Sequence, residues 1–407
     1  MADETSTKAG PTARGRTAPT HWDLVVVGAG PAGAATALGA LYADPELRVL
    51  LLDRADFPRD KACGDGVAPH VLDLLAEVGV TGLVEDRAPA DRLHLGRGGM
   101  AVERRMARPA WVVPRRILDA RLVDAAVAAG ARLLRHRVRA LRQHADAVVL
   151  DGEISAGVVV GADGAHSVVR RALGLPRGPM ALALRGYAPV ASGRRGALVI
   201  EFGPRHQPSY AWSFDRGDGR ANIGYGEALH RDRPAPTRAQ LLERLEALLP
   251  GAAEGAEHWV GHHLPLSTAR RRSPAGRVLL VGDAAGLVNP LTGEGIYYAV
   301  ATGIAAGRAV VAARREGRPE RAGELHAHAT RRILLSHLRH TALAARLARS
   351  ARVVEAALRA SAADRHVFDD IVELGLARGR LTPAIAFGLA RELVAPTRPP
   401  ARDQGPA

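Results

Sequence analysis

The chain of 407 residues reads as an α/β protein: a parallel-sheet domain near its start, an antiparallel-sheet domain inserted into it, and a helical C-terminal region. Three observations predict this. An apolar run, a glycine turn and a run of small residues follow one another over 23–43. Short alternating segments take over between about 177 and 270. At 277–286 an apolar strand ending on Gly282-Asp283 brings the chain back to the first pattern. The divisions that follow are 1–20 as a disordered tail, 21–176 as the first domain with a strand insertion near 90–114, and 177–270 as the inserted sheet. The first domain then returns over 271–316, a helical region covers 317–395, and 396–407 is a loose Pro-rich tail.

Taken in order, Asp23–Val27 is a strand, Gly28-Ala29-Gly30-Pro31-Ala32-Gly33 a turn, and the Ala-rich run to Ala43 a helix. Gly28 allows the tight bend, Gly30 lets backbone approach a pyrophosphate, and Gly33 lets the helix pack close to the strand. The helix start offers free N–H groups and a positive dipole end to phosphates. A second strand, Val49–Leu52, ends on Asp53, whose carboxylate is placed to accept from a ribose hydroxyl. Strand, turn, helix, strand and acid in this order define a Rossmann-type dinucleotide-binding unit.

Phe57 to Gly66 is a polar, glycine-rich loop, able to pass over the far end of a cofactor or simply to turn at the surface. A helix follows from Pro69 to Val78, then alternating strands between Leu93 and Val113. Arg115 opens an amphipathic helix that stops at Gly130; from the helix start it either reaches a phosphate or ribose or is solvated. Strands are expected at 132–141 and 147–150, and Val158-Val159-Val160-Gly161-Ala162-Asp163-Gly164 is a buried strand and small-residue turn. In the inserted sheet, Ala197–Phe202 and Ala221–Tyr225 alternate as strands do, and 238–249 is a helix. Gly293-Glu294-Gly295 presents backbone N–H groups at the start of a further helix. Leu343, Leu347, Val354 and Leu358 form a stripe on one late helix, flanked by Arg339, Arg346 and Arg349. Such a stripe packs on the main body or lies on a membrane surface.

Composition narrows the function. The formal charge of +14 suggests nucleic acid, but the chain has only Lys8 and Lys61 as lysines and scatters its arginines among alanines in every segment. That is a compositional bias and not a basic groove, so no nucleic-acid partner is expected, though anionic lipid would attract it. Cys63 is the only cysteine, which excludes intrachain disulfides and cysteine zinc clusters, and no metal site is expected. No apolar run reaches the ~20 residues of a membrane span. The expectation is a cytoplasmic protein that can touch a membrane face.

The Gly28–Asp53 unit, Gly161-Ala162-Asp163-Gly164, and Gly282-Asp283 with Gly293-Glu294-Gly295 together resemble the flavoprotein superfamily of p-hydroxybenzoate hydroxylase. The resemblance implies FAD, with its pyrophosphate and adenosine ribose on the first unit, Asp53 on the ribose and Arg115 near the phosphates. It places Asp163 between FAD and the path of an NADPH or NADH donor, Asp283 on the ribityl–pyrophosphate stretch, and Gly295-Ile296 at the flavin pyrimidine. Pro31, Ala32, Arg54, Val138, Gly164, Gly282 and Gly293 complete the implied cofactor set.

Within that superfamily the chain resembles the geranylgeranyl reductase family. Pro58 to Gly66 is similar to the family's cysteine-glycine loop, which puts Cys63, Gly64 and Gly66 beside the isoalloxazine. Tyr210-Ala211-Trp212-Ser213-Phe214 is similar to its Y-x-W-x-F-P substrate motif, with Asp215 in place of the proline. On a strand Tyr210, Trp212 and Phe214 share one face and form an aromatic wall for a flat or polyprenyl substrate, or fill the core under the sheet. Cys63 is then a proton donor, a flavin contact, or a small lining residue. Two activities are compatible with these motifs: reduction of carbon–carbon double bonds in a polyprenyl lipid or quinone side chain, and hydroxylation of an aromatic or polyketide-like substrate. The cysteine loop and aromatic motif favour the first.

Overall fold

The structure is a computed structural model that describes residues 20–394 except 205–206, 231 and 269–272. The tails expected at 1–20 and 396–407 lie outside the described residues, apart from Thr20.

The chain opens with β1 (Thr20–Val27), α1 (Pro31–Ala43) and β2 (Val49–Asp53), and Leu24–Val27 run parallel to Val49–Leu52. After the glycine-rich loop come β3 (Gly66–Val67) and α2 (Pro69–Ala76). A hairpin of β4 (Ala90–Arg97) and β5 (Met100–Val112) precedes α3 (Arg115–Ala128). The strand expected over 132–141 is split in two. Its first part, β6 (Arg132–Arg135), runs parallel to β2; its second, β7 (Leu141–Gln143), pairs with β8 (Val148–Leu150) at the other edge of the sheet. The Asp151 carboxylate causes the break, because it accepts from the amides of Arg139 and Ala140 and pairs with His136 at 2.8 Å, turning the backbone between the two strands. Next come β9 (Ile154–Gly161), parallel to β1, and the short α4 (Val168–Ala172).

The second sheet contains β10 (Met180–Pro189), β11 (Ala197–Phe202), β12 (Ser209–Asp215), β13 (Arg220–Ala228) and β14 (Glu257–Pro265). Its order is β14-β10-β13-β12-β11-β4-β5-β3, so the early hairpin belongs to this sheet; only β11 and β4 pair in parallel among these eight strands. Helix α5 (Arg238–Leu248) covers one face, where Leu241 and Leu245 pack with Ala211 and Tyr225. The opposite face, carrying the side chains that alternate with Ala211, is left for the cavity described below.

The chain returns as β15 (Val278–Leu280), which pairs with the C-terminal half of β9 and completes a seven-stranded first sheet. The helices α6 (Ile296–Arg315), α7 (Ala322–Leu347), α8 (Ala351–Ala363), α9 (Arg365–Leu376) and α10 (Pro383–Val394) follow. Small residues bring α1 and α6 backbone to backbone: a Cβ on Gly303 would lie 2.4 Å from the Ala32 carbonyl oxygen, and one on Gly307 2.3 Å from that of Thr36. This is why both helices are rich in alanine and glycine, and the contact sets the start of α6 beside the turn between β1 and α1. With 20 residues, α6 meets the length and apolarity of a membrane span, contrary to the expectation above; 89% of its apolar window is buried inside the molecule, as in a core helix.

The stripe assigned to one late helix is divided between two. The helix stops at 348–350, where Ser350 takes an extended conformation (φ −85°, ψ 121°), leaving Leu343 and Leu347 on α7 and Val354 and Leu358 on α8. Val354 and Leu358 are buried, whereas Leu343 and Leu347 are 48% and 41% exposed.

Candidate active site

One cavity of about 920 Å³ gathers nearly all of the residues singled out in the sequence. Gly28, Gly30, Pro31, Ala32, Asp53, Arg54, Arg115, Val138, Asp163 and Gly164 line one part of it, and Cys63, Gly64, Gly66, Asp283, Gly293, Gly295 and Ile296 another. Tyr210, Trp212 and Phe214 also face it. Gly33 and Gly282 stand behind the lining, against the Gly28 carbonyl and against Ala32 and Ala299 respectively.

At the β1–α1 turn the first amides of the helix have no intrahelical acceptor. Gly30 caps the helix without a side chain, and a Cβ there would lie 3.1 Å from Arg59 Nη2 and 3.8 Å from Arg115 Nη2. Arg115 is buried, not solvated: it makes a bidentate pair with Asp119 (2.6 and 2.8 Å), which Arg59 also meets at 3.1 Å. Asp53 accepts from the amides of Ala29 (2.9 Å) and Ala55 (3.0 Å), which fixes the turn on the end of β2. Bare amides, two guanidinium groups and a carboxylate at the end of β2 suit a dinucleotide diphosphate and its ribose. Asp163 Oδ2 accepts from the Val168 amide at 2.6 Å, while its buried Oδ1 has no partner. These residues fit FAD: Gly30, Arg59 and Arg115 would hold its phosphates and Asp53 its ribose.

The cysteine loop is clamped by the second sheet. Asp65 has left-handed backbone (φ 60°) and a fully buried side chain. Its Oδ2 accepts from the Tyr187 hydroxyl at 2.5 Å and from Asn222 Nδ2 at 2.8 Å; the same Asn222 amide donates to the Cys63 carbonyl. Arg185, 1% exposed, donates to Asp60 Oδ1 and to the Lys61 carbonyl and lies over the Tyr187 ring at 4.3 Å. Lys61 itself bonds Asp283 at 3.0 Å. Burial works against the Asp283 carboxylate, but Lys61, together with His262 and Arg115, holds the group below its ordinary range. None of Asp65, Arg185, Tyr187 and Asn222 stood out in the sequence, because each is an ordinary polar residue until the sheet folds over the loop.

Two groups are placed to carry protons. Burial raises the Cys63 thiol, with Arg115 opposing, so the sulfur is a thiol and not a thiolate nucleophile at neutral pH. Glu294 accepts from the Tyr297 amide at 2.8 Å, yet burial still pushes its carboxyl up to about 7; burial likewise pushes Asp65 up to about 6. Both bind protons more tightly folded than unfolded. Their contribution to stability is therefore complete in acid and is lost as pH rises from 4.5 through about 7 for Glu294. Glu294→Gln, which cannot ionise, should flatten the fall in thermal midpoint of the FAD-free protein between those limits. An unchanged slope would show that the folded carboxyl is not raised.

The aromatic wall forms as the alternation requires. The Tyr210 and Trp212 rings are 6.0 Å apart and those of Trp212 and Phe214 6.4 Å. Phe202, opposite Tyr210 on β11, extends the wall. The Tyr210 hydroxyl donates to the Thr292 carbonyl, tying the wall to the Gly293 turn, and Trp212 Nε1 donates to Asn222 Oδ1 at 2.8 Å. Asp215, where the motif has proline, accepts from the Gly196 and Gly217 amides and closes the strand end, and Phe214 still lines the cavity. From the wall the cavity continues between the second sheet and the C-terminal helices, past Leu93, Leu95, Leu198 and Ile200 on one side and Val354, Leu358, Val372 and Ile385 on the other.

The dinucleotide turn, the clamped loop and the apolar channel define an FAD-dependent oxidoreductase, and residues 21–334 match the FAD binding domain family. More narrowly, the chain belongs to the geranylgeranyl reductase family of these flavoproteins. It is 35% identical to the menaquinone reductase of Mycolicibacterium smegmatis over 308 residues, 70% of this chain and 75% of that protein. It is also 35% identical to digeranylgeranylglycerophospholipid reductase 1 of Methanopyrus kandleri over 316 residues, 72% and 81% of the two chains. In fold it is similar to a geranylgeranyl bacteriochlorophyll reductase-like protein of Thermoplasma acidophilum, with a TM-score of 0.75 over 92% of this chain and 97% of the other at 19% identity.

Proposed function

We propose that this protein reduces carbon–carbon double bonds of a polyprenyl lipid or an isoprenoid quinone side chain, drawing electrons from NADPH or NADH. The observation that carries this reading is the apolar continuation of the cavity from the Tyr210–Trp212–Phe214 wall to α8, α9 and α10. A compact aromatic substrate would not need that length; a prenyl chain would fill it. When bound, FAD supplies the hydride. The protein's own part is to lay the chain along the channel, hold one double bond against the aromatic wall, exclude water, and keep protons on Cys63 Sγ and the Glu294 carboxyl.

An anaerobic single turnover tests the proposal. The FAD-loaded protein is reduced without oxygen and mixed with geranylgeranyl diphosphate or a menaquinone. Flavin reoxidation with a gain of two hydrogens in the lipid is expected. Absence of anaerobic reoxidation, with oxygen incorporated into an aromatic substrate in air, would overturn it in favour of hydroxylation.

A further inference from the structure

Helix α10 is apolar on both of its faces and yet lies at the surface. Its inner face is accounted for: Ile385 is 2% exposed, and Gly388 abuts Ala360 and Val367, where a Cβ would lie 3.2 and 3.3 Å from their side chains. Its outer face is Pro383, Ala386, Phe387, Ala390, Leu393 and Val394, all exposed, with Phe387 at 73% and Val394 at 85%. A surface helix normally turns polar residues outward. The helix has two charged residues, Arg391 and Glu392, and Glu392 is held by Arg359 at 3.3 Å and by Arg391. Exposed arginines accompany the face: Arg391 on the helix itself, paired with Glu392, and Arg378 and Arg380 in the segment just before it.

We infer that α10 docks on an anionic lipid surface, with Phe387, Leu393 and Val394 inserted among the acyl chains and the arginines at the headgroups. Three observations select this occupant. Apolar face and neighbouring arginines complement a negatively charged bilayer surface. Residues 1–19 and 395–407 contain no Leu, Ile, Val, Phe or Trp to complement an apolar face of this kind. The apolar cavity also runs up to this helix, because Leu389 of α10 lines it, as does the 41% exposed Leu347 of α7. A bilayer against α10 would bring a prenyl chain to the helix that walls the cavity, which a second copy seated there would not do. This last point rests on the prenyl-lipid reading; the binding test below uses no turnover, so failure of docking and failure of that reading are told apart.

The test is co-sedimentation of the full-length, FAD-loaded protein with phosphatidylglycerol–phosphatidylcholine vesicles and with phosphatidylcholine vesicles alone. Binding to the anionic vesicles is expected, reduced about 10-fold or more in the double variant Phe387→Glu, Val394→Glu. Both positions are exposed, so flavin content and thermal midpoint should not move. Phe387→Trp provides a second readout, a blue shift of its fluorescence on adding anionic vesicles. Absence of binding by the native protein, or equal binding by the glutamate variant, would overturn the inference. So would a native dimer in light scattering that the glutamate substitutions convert to monomer with vesicle binding unchanged.

Discussion

Gly33→Ala is expected to yield protein that retains less than about one-tenth of the native FAD and unfolds several degrees lower, a loss of about 3 kcal/mol. The added Cβ would lie 1.8 Å from the Gly28 carbonyl oxygen and 2.9 Å from its carbon. The turn cannot retreat. The Gly28 amide donates to the Leu52 carbonyl at 2.7 Å, and a Cβ on Gly28 would meet the Ala162 carbonyl oxygen at 2.4 Å, so the turn is held by β2 and the end of β9. Helix α1 would have to move instead, and its far side is in backbone contact with α6. The displacement would spoil both the phosphate-facing amides and the helix pair behind them. The flavin-to-protein ratio after gel filtration and the thermal midpoint measure the two effects; native values for both would refute the account of the turn.

The second large effect lies at the other end of the cavity. Ala357 lines it from α8, and Ala357→Trp would fill the channel beyond the aromatic wall. With a geranylgeranyl substrate kcat/KM should fall about 100-fold, while a geranyl substrate, which extends less far along the channel, should change less than about 3-fold. FAD content should stay native, since α8 makes no part of the dinucleotide turn. Equal loss for both chain lengths would mean that the channel does not hold the prenyl tail.

These two sites differ in how far the sequence reveals them. The turn at Gly28–Gly33 and Asp53 is readable because it is short and local: glycines at fixed spacing, an apolar strand on each side and an acid at the end of the second satisfy one backbone geometry within about 30 residues. The aromatic wall is readable for the same reason, since alternation on a strand puts Tyr210, Trp212 and Phe214 on one face wherever the strand goes. The channel is not. Its far wall comes from α8, α9 and α10, whose apolar residues have the same periodicity whether they pack on a sheet, line a cavity or meet a lipid. The break at Ser350 that separates Leu347 from Val354 has no mark in the hydrophobic pattern.

The sequence by itself determined the dinucleotide turn and the aromatic face, and marked the cysteine loop, because each depends on residues close together in the chain. Only the tertiary structure decided their chemistry. Asp65 meets Tyr187 across 122 positions and Asn222 across 157, and Lys61 meets Asp283 across 222. Arg115, undecided between solvent and phosphate in the sequence, is buried on Asp119 facing Gly30. Glu294, one residue of a glycine turn, becomes an acid titrating at about 7 because the fold removes its water. Proton affinity and cavity shape follow from what surrounds a group, and those surroundings come from segments remote in the chain.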